Sequence, residues 1–267
     1  MAKHTVTDPL SLVTHRTQAR YGWHRDMPDA RDHVFSAPLQ RFPQGVPPTV
    51  DLRAGCPPVY DQGQLGSCTA NAIAGAMEFD RKKQNLSDFV PSRLFIYYNE
   101  RAMEGTISSD SGAQIRDGIK SVAKIGAPPE GDWPYDITKF TQKPPANAYT
   151  DAKLDRAIRY QRVVQSLQQM QGCLAGGYPF VFGFTVYESF ESQTVATTGI
   201  MPMPAANERK LGGHAVMAVG YDSTRRMMIV RNSWGTGWGQ GGYFMMPFEF
   251  IISPSMASDF WTISSVG

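Results

Sequence analysis

Asp61-Gln-Gly-Gln-Leu-Gly-Ser-Cys68-Thr-Ala-Asn-Ala72 is the stretch on which the reading of this chain turns. A glycine-rich turn runs straight into Thr69-Ala-Asn-Ala-Ile-Ala-Gly-Ala-Met-Glu-Phe79, where Ala70, Ile73, Ala74 and Met77 recur at helical spacing. Cys68 therefore stands at a helix N-terminus, where unpaired N–H groups and the positive dipole end favour a thiolate. A free cysteine can equally be a small buried hydrophobe. The stretch alone leaves a nucleophile and a core residue both open, and the partners of Cys68 must be sought downstream.

A cysteine nucleophile needs a base, a group that orients the base, and donors for the oxyanion formed during acyl transfer. Of the five histidines, His4, His15, His24 and His33 lie in an irregular N-terminal stretch, and only His214 lies in the body of the chain. It opens an apolar strand, His214-Ala-Val-Met-Ala-Val-Gly-Tyr221, directly after Gly212-Gly213. That position predicts a ring accessible at a strand edge, the alternative being a buried, hydrogen-bonded core histidine. The following strand ends at Asn232-Ser-Trp234. From there Asn232 can accept the ring N–H of His214 without adding charge, and Trp234 can lie over that contact. No His-Glu-x-x-His, paired Cys-x-x-Cys or Gly-Lys-Ser phosphate loop is present, so no metal or cofactor is implied.

Composition bounds the remaining possibilities. The chain has 267 residues, with 42% hydrophobic and 11% aromatic content, enough for one large or two small domains with ample core. A net charge of +2 is too small to argue for nucleic acid or an anionic membrane surface. There is no apolar run long enough to span a bilayer, and the N-terminus lacks the apolar core of a secretory signal. A cytoplasmic enzyme is expected, or one exported by a route not visible in the sequence, and a monomer. Three cysteines are too few for a disulfide framework. If Cys68 stays free, Cys56 and Cys173 either pair or remain two unpaired thiols.

Residues 1–45 are polar and irregular, with isolated apolar residues at Leu10, Leu12, Val13, Tyr21, Trp23, Val34 and Phe35. They cannot build a core of their own. Tyr21-Gly-Trp23 and Val34-Phe35 are nonetheless costly to leave in water, which suggests a segment laid on another surface, the alternative being a loose tail. Val46 begins the rest. After the Cys68 helix, Ser92 caps a run from Arg93 to Arg101, and Ala113 to Ile125 forms a third helix that Gly126 stops. Beyond the prolines at 144–145 the period changes. Strands are predicted at Tyr160–Val164, Tyr178–Tyr187, His214–Tyr221, Met227–Asn232, Gly242–Met246 and Phe260–Ile263, with a short helix from Ser166 to Ala175. Helices first and an antiparallel sheet second imply an α+β fold of two lobes with a cleft between them.

These residues resemble the papain-like cysteine peptidases of clan CA, family C1. Three blocks carry the resemblance, in order: Gln62-Gly-x-x-Gly-Ser-Cys68, His214-Ala-Val-x-x-Val-Gly-Tyr221 and Asn232-Ser-Trp-Gly-Thr-Gly-Trp-Gly-x-x-Gly-Tyr243. The interval from Cys68 to His214 fits a spacing of about 130–150 residues that is itself drawn from papain-type enzymes. The resemblance covers Pro47 to the C-terminus. It implies a helical lobe at about 60–135 and an antiparallel, barrel-like β lobe at about 136–267, within a peptidase domain at 46–267. It further implies Cys68 as nucleophile, His214 as its ion-pair partner and later general acid, Asn232 as the orienting residue, and Gln62 as an oxyanion donor beside the Cys68 N–H. Trp234 would shield the His–Asn pair and border the leaving-group side. Gly112 and Ala113 would hydrogen-bond a peptide or protein substrate, while Gln114, Gly183, Gly213 and Ala215 would line the main specificity pocket.

Leu65 and Asp110 stand where most members have two bridging cysteines, a joint loss that fits a bacterial, xylellain-type branch. Thr69 replaces the usual aromatic residue after the nucleophile. Family prosegments run through the cleft, commonly against substrate direction. The resemblance therefore implies that residues 1–45 form such a segment, with the part between Tyr21 and Arg41 near Cys68. The expected function is a cysteine endopeptidase working through a thioester. A catalytically retired binding domain and a transpeptidase or ligase using the same thioester are the alternatives.

Overall fold

Helix α1 (Cys68–Lys83) runs through the centre of the molecule with fourteen of its residues, Cys68 to Arg81, buried. The small residues Ala70, Ala72, Ala74, Gly75 and Ala76 let other elements approach it on all sides, so it needs no polar face over most of its length. Arg81, Lys82 and Lys83 sit in its last turn, where the dipole favours cations, and Asn85 ends it in the left-handed region at φ 55°. The computed structural model describes residues 21–267. Leu10, Leu12, Val13, His4 and His15 fall outside the described residues.

The strands β1 (Trp23–His24), β2 (Val34–Phe35) and β3 (Thr49–Asp51) precede α1, and α2 (Arg93–Glu104) follows it. Ser92 caps α2 by accepting the Phe95 N–H at 3.2 Å, and Gly105 closes it at φ 72°. Strand β4 (Ala113–Gln114) then leads into α3 (Ile115–Lys124). The expected helix from Ala113 starts two residues late, because Ala113 and Gln114 pair with β1 instead. Next come α4 (Ala146–Ala152), β5 (Ala157–Val163), α5 (Leu167–Ala175), β6 (Phe180–Tyr187), α6 (Gln193–Thr198) and β7 (Lys210–Asp222). The chain ends with β8 (Met227–Arg231), β9 (Tyr243–Pro247), α7 (Phe248–Ile251) and β10 (Ala257–Val266).

The architecture is the expected α+β class. Eight strands form one sheet in the order β2-β5-β10-β6-β7-β8-β9, with β3 added against β7. The β2–β5 contact is parallel and the other pairs are antiparallel. The expected barrel-like closure is not formed: β2 and β9 end the strand order without pairing to each other.

Strand alternation assigns the two faces. Phe180, Phe182 and Phe184 of β6 pack with Phe190, Phe244 and Phe250 on one side. Val181 of β6 and Ala215 and Met217 of β7 face α1 on the other. On that helix-facing side Gly183 and Gly213 leave a gap in an otherwise apolar surface. Cys56, Cys68 and Cys173 are all free and buried, so the alternative of unpaired thiols is the one found. Among the described residues no helix is long and apolar enough to cross a membrane.

Candidate active site

Cys68 is the first residue of α1 and is fully buried. Backbone N–H groups of Ala215, Gly22 and Thr69 bear on its sulfur and favour the thiolate. Burial outweighs them and pushes the thiol up to about 11. The helix start favours the thiolate as expected, but burial opposes it more strongly, and Gly22 of the N-terminal segment lies against the sulfur.

Across the cleft His214 Nε2 and Asn232 Oδ1 are 2.8 Å apart. The Trp234 ring stacks on the imidazole with centroids 4.9 Å apart at 29°, and Phe184 meets it edge-on at 5.7 Å. His214 is neither accessible nor at a strand start. Strand β7 begins at Lys210, with Gly213 opposite Thr185 and Gly212 opposite Val186, and the ring has no exposed surface. Pairing with β6 has overridden the turn preference of Gly212-Gly213.

The Gln62 loop is zipped onto the Asn232 strand end. Gln62 N–H donates to Ser233 O at 2.9 Å, and Ser233 Oγ donates to Gln62 Oε1 at 2.7 Å. Gln62 Nε2 donates to Leu65 O at 3.0 Å, using one of its two hydrogens.

The stretch Tyr21-Gly-Trp23 crosses this site. Strand β1 pairs in parallel with β4, Trp23 opposite Ala113, and Ala113 N–H donates to Gly22 O at 2.7 Å. Gly112 does not bind the segment in this way, since its N–H donates to Tyr97 Oη at 3.0 Å. Gly22 is the only residue type that fits at its position, because a Cβ there would lie 1.7 Å from Gly66 O. Tyr21 places its ring edge-on to His214 at 6.3 Å and its hydroxyl on Glu191.

Trp23 fills the gap beside Gly183 and Gly213. A Cβ on Gly183 would stand 1.9 Å from the indole, and one on Gly213 would stand 2.4 Å from Trp23 O. Gln114 touches the segment one step further on, with Oε1 accepting the Met27 N–H at 3.2 Å. Ala215 is held under this surface, opposite Gly183 in the β6–β7 register. Burying an indole of ~150–250 Å² contributes about 4–6 kcal/mol toward seating the segment.

Sequence reasoning missed the polar anchor behind Trp23. The indole N–H donates to Asp259 Oδ2 at 3.2 Å, and the Asp26 N–H donates to the same oxygen at 2.9 Å. The Asp26 carboxylate accepts Arg116 N–H at 3.1 Å and Trp261 Nε1–H at 2.9 Å. Helix α3 has no side-chain cap of its own, so Asp26 serves its first turn from another part of the chain. Arg116 pairs with Asp32 at 2.5 Å, and Arg162 reaches Asp259 at 3.2 Å, Asp32 at 3.3 Å and Asp26 at 3.7 Å. Only Tyr21-Gly-Trp23 gave a signal in sequence. Asp259 lies in a strand at φ 60°, and nothing local announces its partners.

The model of the papain family cysteine proteases matches residues 46–251. A peptidase C1-like protein of Acanthamoeba polyphaga mimivirus is 50% identical over 215 residues, which span 77% of this chain and 69% of that protein. The crystal structure of xylellain, a cysteine protease from Xylella fastidiosa, is 44% identical with a TM-score of 0.87, covering 94% of this chain and 97% of that one. Procathepsin B S9 from Trypanosoma congolense, 19% identical with a TM-score of 0.68, covers 85% of this chain and 80% of its own and shares the fold.

Proposed function

We propose, from the premise that this chain belongs to the papain family of cysteine proteases, that Cys68, His214, Asn232 and Gln62 carry its peptide-bond hydrolysis and that residues 21–35 restrain it. The observation that carries the assignment is the His214–Asn232 bond under Trp234, with the neighbouring Ala215 N–H directed at Cys68.

Cys68 sulfur attacks the scissile carbonyl carbon, and His214 holds the thiol proton. The oxyanion takes the Cys68 N–H and a Gln62 Nε2–H. When the C–N bond breaks, His214 gives its proton to the leaving amine and a thioester remains. Water then attacks the thioester with His214 as base, releasing the acid and restoring the thiol. Asn232 keeps the imidazole oriented throughout, and Trp234 excludes water from that bond.

Support for the restraint is steric and chemical. Gly22 lies against the nucleophile and Trp23 fills the gap at Gly183 and Gly213, where a substrate side chain would go. Hydrolysis is favoured over a retired binding role because all four reacting positions are intact.

One experiment addresses both parts. An epoxide-type cysteine-peptidase inhibitor should label Cys68 slowly in the wild-type chain and at least about tenfold faster in Gly22→Ala, whose methyl group the Gly66 carbonyl cannot accept. Peptide turnover should rise with it and vanish in Gly22→Ala/Cys68→Ser. Equal labelling of the two chains would remove the restraint, and turnover without Cys68 would remove the nucleophile.

A further inference from the structure

We infer that Asp110 is a positioning residue that ties the backbone ahead of the nucleophile to the loop that receives a peptide. The inference rests on Cys68 being the nucleophile. Gly66 N–H donates to both Asp110 oxygens, at 3.0 and 3.2 Å. Tyr97 Oη donates to Asp110 Oδ1 at 2.5 Å, and the Gly112 N–H donates to Tyr97 Oη at 3.0 Å. A continuous chain of hydrogen bonds thus runs from Gly66, two residues before Cys68, to Gly112, one residue before the Ala113 N–H that binds Gly22 O.

The geometry is built for this contact. A Cβ on Gly66 would lie 3.0 Å from Asp110 Oδ1, so the carboxylate approaches the bare backbone as closely as it can. Gly112 holds φ 76°, which a side chain would strain. The loop between them is fixed from beneath by Arg101, which is fully buried. It donates to the carbonyls of Ile107 at 2.8 Å, Ser109 at 3.0 Å and Phe140, and lies 4.1 Å from the Tyr97 ring centroid. Charge-assisted acceptance by a carboxylate is roughly twice as strong as a neutral bond, so one residue can hold two strands of backbone in register.

The two arms separate experimentally. Tyr97→Phe cuts only the arm to Gly112. Asp110→Ala cuts both, and Asp110→Asn keeps an amide oxygen for Gly66 and an amide N–H for Tyr97 Oη. All three are made in the full-length chain carrying Gly22→Ala, and read by peptide turnover and by amide exchange at Gly66 and Gly112. Tyr97→Phe should raise KM about tenfold with kcat little changed, one hydrogen bond's worth on the binding side. Asp110→Ala should also lower kcat by about tenfold or more, because the Cys68 N–H loses its fixed position. Asp110→Asn should recover most of the loss. Exchange should quicken at Gly66 in Asp110→Ala, whose Gly112 N–H keeps its bond to Tyr97 Oη, and at Gly112 in Tyr97→Phe.

Variants that lose thermal stability while KM, kcat and both amides stay as in the parent would overturn the inference. A parent chain without turnover would count against the peptidase reading instead. The exchange data would still decide the clamp, unchanged protection at both glycines overturning it.

Discussion

At the scale of single residues, the division of labour follows from what each side chain can do. In the proposed mechanism His214 accepts and returns a proton, whereas Asn232 only holds the ring, through one bond of 2.8 Å. In that mechanism Gln62 supplies one of two oxyanion donors, and its amide is held by Ser233 at 2.7 Å. In the Gly22→Ala chain, Gln62→Ala should lower kcat by about 10²–10³, the usual cost of one such donor. Asn232→Ala should cost less than His214→Ala, since a misaligned base still transfers protons and an absent one does not. Steady-state kinetics with folding checked by circular dichroism would test this, and equal, complete loss in Asn232→Ala and His214→Ala would refute the ordering. The sequence singled out Cys68, His214, Asn232 and Gln62 because their chemistry is scarce, with one histidine in the body and one cysteine at a glycine-preceded helix start, and the structure brings His214, Asn232 and Gln62 to the same strand end. The state of the thiol was not legible. Its rise to about 11 comes from burial under a segment whose position no local pattern specifies.

At the scale of elements, the long ones were visible because their causes are local, and the short ones were not because their causes are distant. Ser92 and the apolar spacing after it announce α2, and the alternating phenylalanines announce β6. Strands β1 and β2 have two residues each and exist only through their partners β4 and β5. The same cause took Ala113 and Gln114 out of α3. Trp23 is the residue that makes β1 matter, since its ring plugs the gap left by Gly183 and Gly213 and its N–H reaches Asp259. Trp23→Phe keeps the plug and loses the hydrogen bond, whereas Trp23→Ala loses both. Cys68 alkylation in otherwise wild-type chains should therefore quicken about fivefold in the first and at least a hundredfold in the second. If both variants alkylated at the wild-type rate, the plug would contribute nothing to the restraint. Deleting residues 1–45 would be a poorer test, because Phe35 and Ala37 belong to the core beneath β5 and α5.

At the scale of the whole molecule, the segment is seated by charge as well as shape, and this makes its hold depend on pH. Three carboxylates, Asp26, Asp32 and Asp259, share two guanidinium groups, Arg116 and Arg162, behind Trp23, while Asp29 and Lys120 pair at 3.6 Å further out. The cluster thus carries one more acid than base in a buried place. When the segment leaves, Asp26 and Asp32 go with it, Asp259 keeps Arg162 and Arg116 loses its partner, so the balance reverses. Burial, and after it the Asp259 carboxylate, raises Asp26 from 3.8 to about 6 in the seated form, against the Trp261 and Arg116 N–H bonds that lower it. A carboxyl whose value is higher in the seated form binds a proton more readily there. That contribution is fully present below the ordinary carboxylate range and is lost as pH rises through about 6. Acid should therefore tighten the seat and neutral pH should loosen it, by about tenfold between pH 5 and pH 8. Asp26→Asn keeps one oxygen, enough for either the Arg116 or the Trp261 N–H, and it has no proton to lose. The ratio of wild-type to Asp26→Asn alkylation rates at Cys68 cancels the titration of the thiol itself, and it should climb about tenfold over that range. A flat ratio would mean that Asp26 does not govern the seat. A ratio that falls would mean that acid releases the segment, with Asp32 or Asp259 setting the sign.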